Sequence, residues 1–152
     1  MPLSLHGKRM IANAMYQKGV SFLGAAILLR QKGGHEYVVL HLLCQGLEIV
    51  LKAALLFRDY NRYRPQLVRP LGHDLSRTAE YACEAFGFRK LSPPLAAELA
   101  QLSKYYKPNH FRYGGVADIF INPTTIPREL VMRRALVVLR LFARSLRAGT
   151  ML

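Results

Sequence analysis

The chain has 152 residues, 51% of them apolar and 20% charged, which excludes a disordered polymer and leaves room for a single domain, residues 1–152, with one core. Lysine and arginine total 22 against 9 acidic residues, a formal charge of +13, which reads either as attraction to polyanions or as a basic but inert surface. Fifteen of the cations are arginine, whose planar fork suits bidentate phosphate contacts, and a polyanionic partner is expected: nucleic acid first, then nucleotides or an acidic protein.

The opening MPLSLHGKRM lacks a continuous apolar core, so no leader is expected there. A first helix is expected over 9–31, with Ile11, Met15, Phe22, Ala26 and Leu29 at helical spacing, and Lys32-Gly33-Gly34 ends it. The second, over 35–58, is apolar around nearly its whole circumference and belongs in the middle of a bundle. Its run from 37 to 57 is long enough for a bilayer, but His41, Gln45, Glu48 and Lys52 are costly in lipid, so no membrane partner is expected. Glu48 and Lys52 stand four apart, in the favourable order for an ion pair. The pair reads either as the lining of a pocket or as a device that orients a crowded central helix.

A connector, RDYNRYRPQLVRPLG (58–72), holds two prolines, two tyrosines and four arginines, and long ordered connectors are often functional. The third helix, expected over 73–87, opens on His73-Asp74, buries Leu75, Ala79, Ala82, Cys83 and Phe86, and stops at Gly87. Cys44 and Cys83 lack CxxC spacing and read as small buried hydrophobes in a reducing, cytoplasmic setting. Ser92-Pro93-Pro94 starts a fourth helix over 93–106, which Pro108 ends. Residues 107–125 are irregular, and VADIFI within them reads as a short strand or as cover for the core edge. The last helix is expected over 126–147, with Arg133, Arg140, Arg144 and Arg147 on one face and Val131, Leu136, Leu139 and Phe142 or Ala143 on the other. The sum is an all-α, up-and-down bundle of four to five helices.

The five histidines are scattered, with no two at metal-ligand spacing beside a carboxylate, so no metal and no cofactor is expected. Phosphate-binding glycine loops and serine or cysteine nucleophile motifs are missing. If neighbouring helices run antiparallel, the end of the second, the start of the third and the end of the fourth share one pole. Lys52, Arg58, Arg69, His73, Asp74, Tyr105, Tyr106, His110, Arg112 and Tyr113 gather there, a mixture of cations and aromatics suited to phosphates and stacked bases.

In order, LHLLCQGLEIVLKAALL, GHDL and LSKYYKPNHFRYG resemble the HEPN family (higher eukaryotes and prokaryotes nucleotide-binding domains), whose members carry an E-x-x-L-K helix, a following HDL and a later Tyr-rich segment ending in RY. The likeness covers roughly residues 9 to 147. It implies a HEPN-like bundle, a homodimer, and work with nucleotides or RNA, beside a nucleotidyltransferase partner or in a defence or toxin-antitoxin system. Many members are metal-independent endoribonucleases marked by an Arg, four to six residues and a His near the start of the last long helix. This chain has no histidine in that helix; Arg30 and His35 have the spacing but flank the turn after the first helix, and Arg69 and His73 stand too close.

Three readings follow. The first is a nucleotide-, RNA- or partner-binding module using Lys52, Arg58, Arg69, His73, Asp74, Tyr106, Arg112 and Tyr113. The second is a metal-independent ribonuclease with His73 or His110 as base and Arg112 or Arg69 stabilising the phosphate. The third is a structural dimer whose seam is the apolar stripe of the first or last helix. Two local alternatives stay open: His73-Asp74 as acid/base chemistry or as a helix start in which His73 bonds Asp74 or a loop carbonyl, and Arg112 with Tyr113 as a phosphate clamp and stacking platform or as a cap in which Arg112 bonds Asp74 or exposed carbonyls.

Overall fold

The computed structural model describes residues 2–113 and 119–148. Most helix starts have a chemical cause. Ser4 accepts from the Gly7 amide at 3.1 Å, so α1 (Leu5–Gln31) begins a turn earlier than expected, and it ends before Gly33, which takes a left-handed φ of 70°. His35 caps α2 (Glu36–Arg58) through its ring nitrogen. Asp59 caps a short α3 (Tyr60–Tyr63), and a 3-10 turn over Arg64–Gln66 continues it. Asp74 caps α4 (Leu75–Phe86), which closes on left-handed Gly87. Two prolines open α5 (Pro93–Tyr106), α6 (His110–Tyr113) follows, and α7 (Glu129–Ala148) is last. It starts at Glu129 rather than 126 because Ile126 precedes a proline and is held extended, with ψ at 116°. No strand occurs among the described residues; Ile119 and Phe120 are helical and exposed, and residues 114–118 of the expected strand or cover lie outside them.

α1 and α2 cross at two glycines. A Cβ on Gly46 would stand 2.7 Å from Leu23 Cγ and 2.9 Å from its backbone nitrogen, and one on Gly19 would stand 2.9 Å from the Val50 nitrogen. Backbones this close make the glycine seam the centre of contact. The face α1 buries is therefore Ala12, Tyr16, Gly19, Leu23 and Ala26, one residue round from the expected stripe, with Ile11, Met15, Phe22 and Leu29 half-buried beside it. Gly46→Ala is expected to destabilise by about 1–3 kcal/mol through overpacking, although alanine is the better helix former. Gly24, with open space where its Cβ would lie, is the control: Gly24→Ala should stabilise by about 0.5–1 kcal/mol. Denaturant midpoints at constant slope check both.

The direction of α4 departs from expectation. Its first turn lies beside the middle of α2, where Lys52 Nζ donates to the Gly72 carbonyl at 2.5 Å, and its last carbonyls reach α2's C-terminal end, where Arg58 Nε donates to the Ala85 carbonyl at 3.0 Å. α2 and α4 thus advance together, because the connector carries the chain back first. Buried Tyr63, Leu67 and Leu71 pin that connector to the core, leaving Arg62, Arg64 and Arg69 outside. α5 returns antiparallel to α4, its Ser103 hydroxyl accepting from the Leu75 amide at 3.0 Å. Buried Glu98 of α5 accepts from the Val131 amide at 2.8 Å and so caps α7. α7 then runs back along α1, from the Arg30–Glu129 pair to the Tyr16 hydroxyl, which donates to the Leu139 carbonyl at 3.3 Å. Arg133, Arg140 and Arg144 are exposed as expected, but Leu136 is exposed too, and Val131, Met132 and Ala135 meet the core. The side chains of Phe142 and Arg147 lie outside the described residues.

α2 is long and apolar enough to cross a membrane by length and composition, and 72% of that window is buried inside the molecule. Its place is central, touching α1, α4, α5 and α6.

Candidate functional site

Four polar side chains interrupt α2 at His41, Gln45, Glu48 and Lys52, steps of four, three and four residues that put them on one helical face. The face meets the start of α4 and the end of α5, and everything there turns on the Glu48 carboxylate. Lys52 Nζ donates to its Oε1 at 2.7 Å, the Tyr106 hydroxyl donates to its Oε2 at 2.6 Å, and His73 Nδ1 stands 3.0 Å from the same Oε2. Glu48, Lys52 and Tyr106 are buried, whereas the His73 side chain is 59% exposed, so one ring nitrogen is tied inward and the other faces out. The Tyr106 ring lies between two imidazoles, edge-on to His73 and tilted against His41, each with centroids 5.9 Å apart.

Burial alone raises the Glu48 carboxyl, but the hydrogen bonds from Lys52, Tyr106 and His73 outweigh it and hold the group below its ordinary value. Tyr106 is pushed up by burial and by that carboxylate, and it stays a protonated donor. His41 is driven down by burial and by the charge of Arg112, against a hydrogen bond with Gln45, and its Nδ1 is buried with no hydrogen-bond partner among the described residues. It is held neutral at neutral pH.

The histidine-aspartate pair separates. Asp74 accepts from the Arg77 amide at 3.0 Å and pairs with Lys107 at 3.3 Å, while His73 turns away to Glu48; neither the expected His73–Asp74 bond nor an Arg112–Asp74 cap forms. Burial opposes the charge on Asp74, and the Arg77 amide and Lys107 prevail, so its carboxyl also sits low. The reason is directional. An N-cap carboxylate must turn to the first amides of its own helix, which leaves the preceding imidazole to the neighbouring one.

Of the expected pole, Lys52, His73 and Tyr106 converge on Glu48, with Asp74 alongside. Arg58 does not join them, because α4 runs parallel to α2 and Arg58 binds the far end of it at Ala85, ten residues past Leu75 or about 15 Å along the helix. Lys52 is buried and committed to Glu48 and Gly72, so it is an interior charge rather than a free ligand cation. Arg69 is exposed on the connector and makes no hydrogen bond or ion pair among the described residues. Arg112 acts electrostatically on both His41 and Tyr106 and lies over the Tyr113 ring at 5.7 Å, with Tyr113 itself 75% exposed. His110 packs near Tyr105, with centroids 6.3 Å apart, and has no bond to Glu48. Among the described residues no group of three histidine, cysteine, aspartate or glutamate side chains is placed to hold a metal ion.

Sequence reasoning named Glu48 only as half of an ion pair and missed it as the centre. The signal was present: four polar residues at helical spacing on an otherwise apolar helix require a polar partner surface, since each would otherwise be buried unsatisfied. No family model matches the chain, and comparison with curated proteins and with solved structures finds no match in either set.

Proposed function

We propose that the chain is a HEPN-like module that binds RNA or nucleotide phosphates at the face around His73. One observation carries this. The three segments of the resemblance, separated by 25 and 58 residues from Glu48, meet at that one carboxylate, beside exposed Lys107, which pairs with Asp74, and exposed Arg112, whose charge bears on Tyr106, with exposed Tyr113 next in the chain. Lys107, Arg69 and Arg112 offer donors to phosphate oxygens, and Tyr113 offers a ring on which a base can stack. The buried Glu48–Lys52 pair supports the rim by fixing the Gly72–His73 turn. The reading carries with it a homodimer in the cytoplasm and a nucleotidyltransferase as a candidate partner.

Titration with a short single-stranded RNA and with mononucleotides at 50 and 200 mM salt tests it. Binding that weakens as salt rises is expected, and no binding at low salt overturns it. Tyr113→Ala should reduce RNA affinity by about 1–3 kcal/mol if a base stacks there, and should leave thermal stability unchanged.

A metal-independent ribonuclease is the second reading, favoured by the anchoring of His73. A buried carboxylate on Nδ1 fixes the tautomer and leaves Nε2 outward, where it would take a proton from a ribose 2′-hydroxyl while Arg112 stabilises the phosphate. RNA incubated with the protein in EDTA decides this: cleavage lost in His73→Ala supports the assignment, and equal cleavage by that variant removes His73 as the base.

A further inference from the structure

Between α2, α4, α5 and α7 lies a cavity of about 350 Å³. The space is half open to solvent, and its size falls within the roughly 300–1,000 Å³ that small-molecule sites span. The sequence explains the space. Facing positions on three of the helices are alanines, Ala54, Ala79, Ala82 and Ala135, and truncated side chains on opposing walls leave room that leucines elsewhere in the core fill. The stacked rings of Phe86 and Phe88, with centroids 5.7 Å apart, form one edge.

The charged groups in the lining are Arg89, Lys90 and Arg134. All three are exposed, and none makes a hydrogen bond or ion pair among the described residues. Among the described residues no carboxylate lines the cavity; Glu80, the acid whose charge bears on the wall at Cys83, is exposed and opposed there by Arg134. A half-open apolar pocket with three exposed cations in its lining is complementary to one kind of ligand.

The geometry points to a binding site for a small amphiphilic anion, with an alkyl chain in the alanine-walled cavity and a carboxylate or phosphate head on Arg89, Lys90 and Arg134. Burial of the chain supplies affinity at about 25 cal/mol per Å² of apolar surface, and the cations select the sign of the head group. The site is independent of the RNA-binding reading, since Glu48, His73 and Tyr106 are absent from its lining.

Cys83 supplies an internal reporter. It lies half-buried in the cavity wall, while Cys44, the other cysteine, is buried in the core. Labelling with a chromogenic disulfide reagent therefore reads Cys83. Decanoate and decyl phosphate are expected to slow it at least tenfold at saturation; decyltrimethylammonium, with the same chain and the opposite charge, is not. A stronger effect of decyl phosphate indicates a lipid-type head, and of decanoate a free acid. Calorimetric titration of decanoate reads the same binding without the thiol, and Lys90→Gln with Arg134→Gln should weaken it at least tenfold at unchanged melting temperature. Ala82→Leu, which fills the chamber, should abolish it. Equal protection by the cationic chain, or absence of both protection and binding heat, overturns the proposal. So does protection that grows with protein concentration alone, which would make the occupant a second copy.

Discussion

Replacing Glu48 with glutamine should lower stability at neutral pH by roughly 3–5 kcal/mol, because it leaves the buried Lys52 ammonium without its counter-charge. Breaking a buried pair from one side costs far more than the pair contributes, since the surviving charge has lost water and partner together. Removing both charges is the discriminating experiment: Glu48→Met with Lys52→Met should recover most of the loss, while Tyr106→Phe alone should cost about 1.5–3 kcal/mol for one hydrogen bond to a charged acceptor. At about 2–4 °C per kcal/mol for a chain of this size, the single variant should melt roughly 10 °C lower, a shift calorimetry reads directly. A loss under 1 kcal/mol would show that water reaches Lys52.

The same variant should change the acid limb. Because the native Glu48 carboxyl is held below its ordinary value of 4.5, the unfolded chain takes up a proton before the folded one does. Its stabilising contribution is complete above that ordinary value and is lost as pH falls through the lower native one. Asp74 acts in the same sense. Stability of the parent should therefore fall steeply below about pH 4.5, and that of Glu48→Gln should fall less steeply, because one depressed carboxyl is gone.

The second large effect is on binding. Replacing Arg69, Lys107 and Arg112 together by glutamine should leave the fold within about 1 kcal/mol of the parent, since Lys107–Asp74 is an exposed pair and the two arginines are exposed. If each of the three neutralises one phosphate of a single-stranded RNA, the slope of log affinity against log salt should flatten by about 2, at about 0.7 per phosphate. Those contacts alone amount to about a twentyfold difference in affinity between 50 and 200 mM salt. Arg133→Gln with Arg140→Gln on the exposed side of α7 is the comparison, and an equal change there would mean a diffuse basic surface instead of the His73 face.

What sequence determines in this protein is local. Gly33, Asp74 and Gly87, and the prolines at the start of α5, act on amides and carbonyls within a few residues of themselves. The all-α class and most helix limits could therefore be read from them. The apolar circumference of α2 likewise announced a central helix, because burial on all sides is a property of that segment alone.

Tertiary structure decided the rest, wherever an outcome depended on partners far along the chain. The buried face of α1 is set by the approach of Gly19 to Gly46, which periodicity within α1 cannot register. The parallel course of α4 follows from Tyr63, Leu67 and Leu71 anchoring a connector whose loop-like composition hid its packing, and that course moved Arg58 away from His73. The choice of His73 for Glu48 over its neighbour Asp74 came from competition: the new helix's amides claimed Asp74, and a carboxylate 25 residues earlier claimed the imidazole. A buried charge needs all its partners at once, and only the folded chain brings Lys52, His73 and Tyr106 together within hydrogen-bond distance of the Glu48 carboxylate.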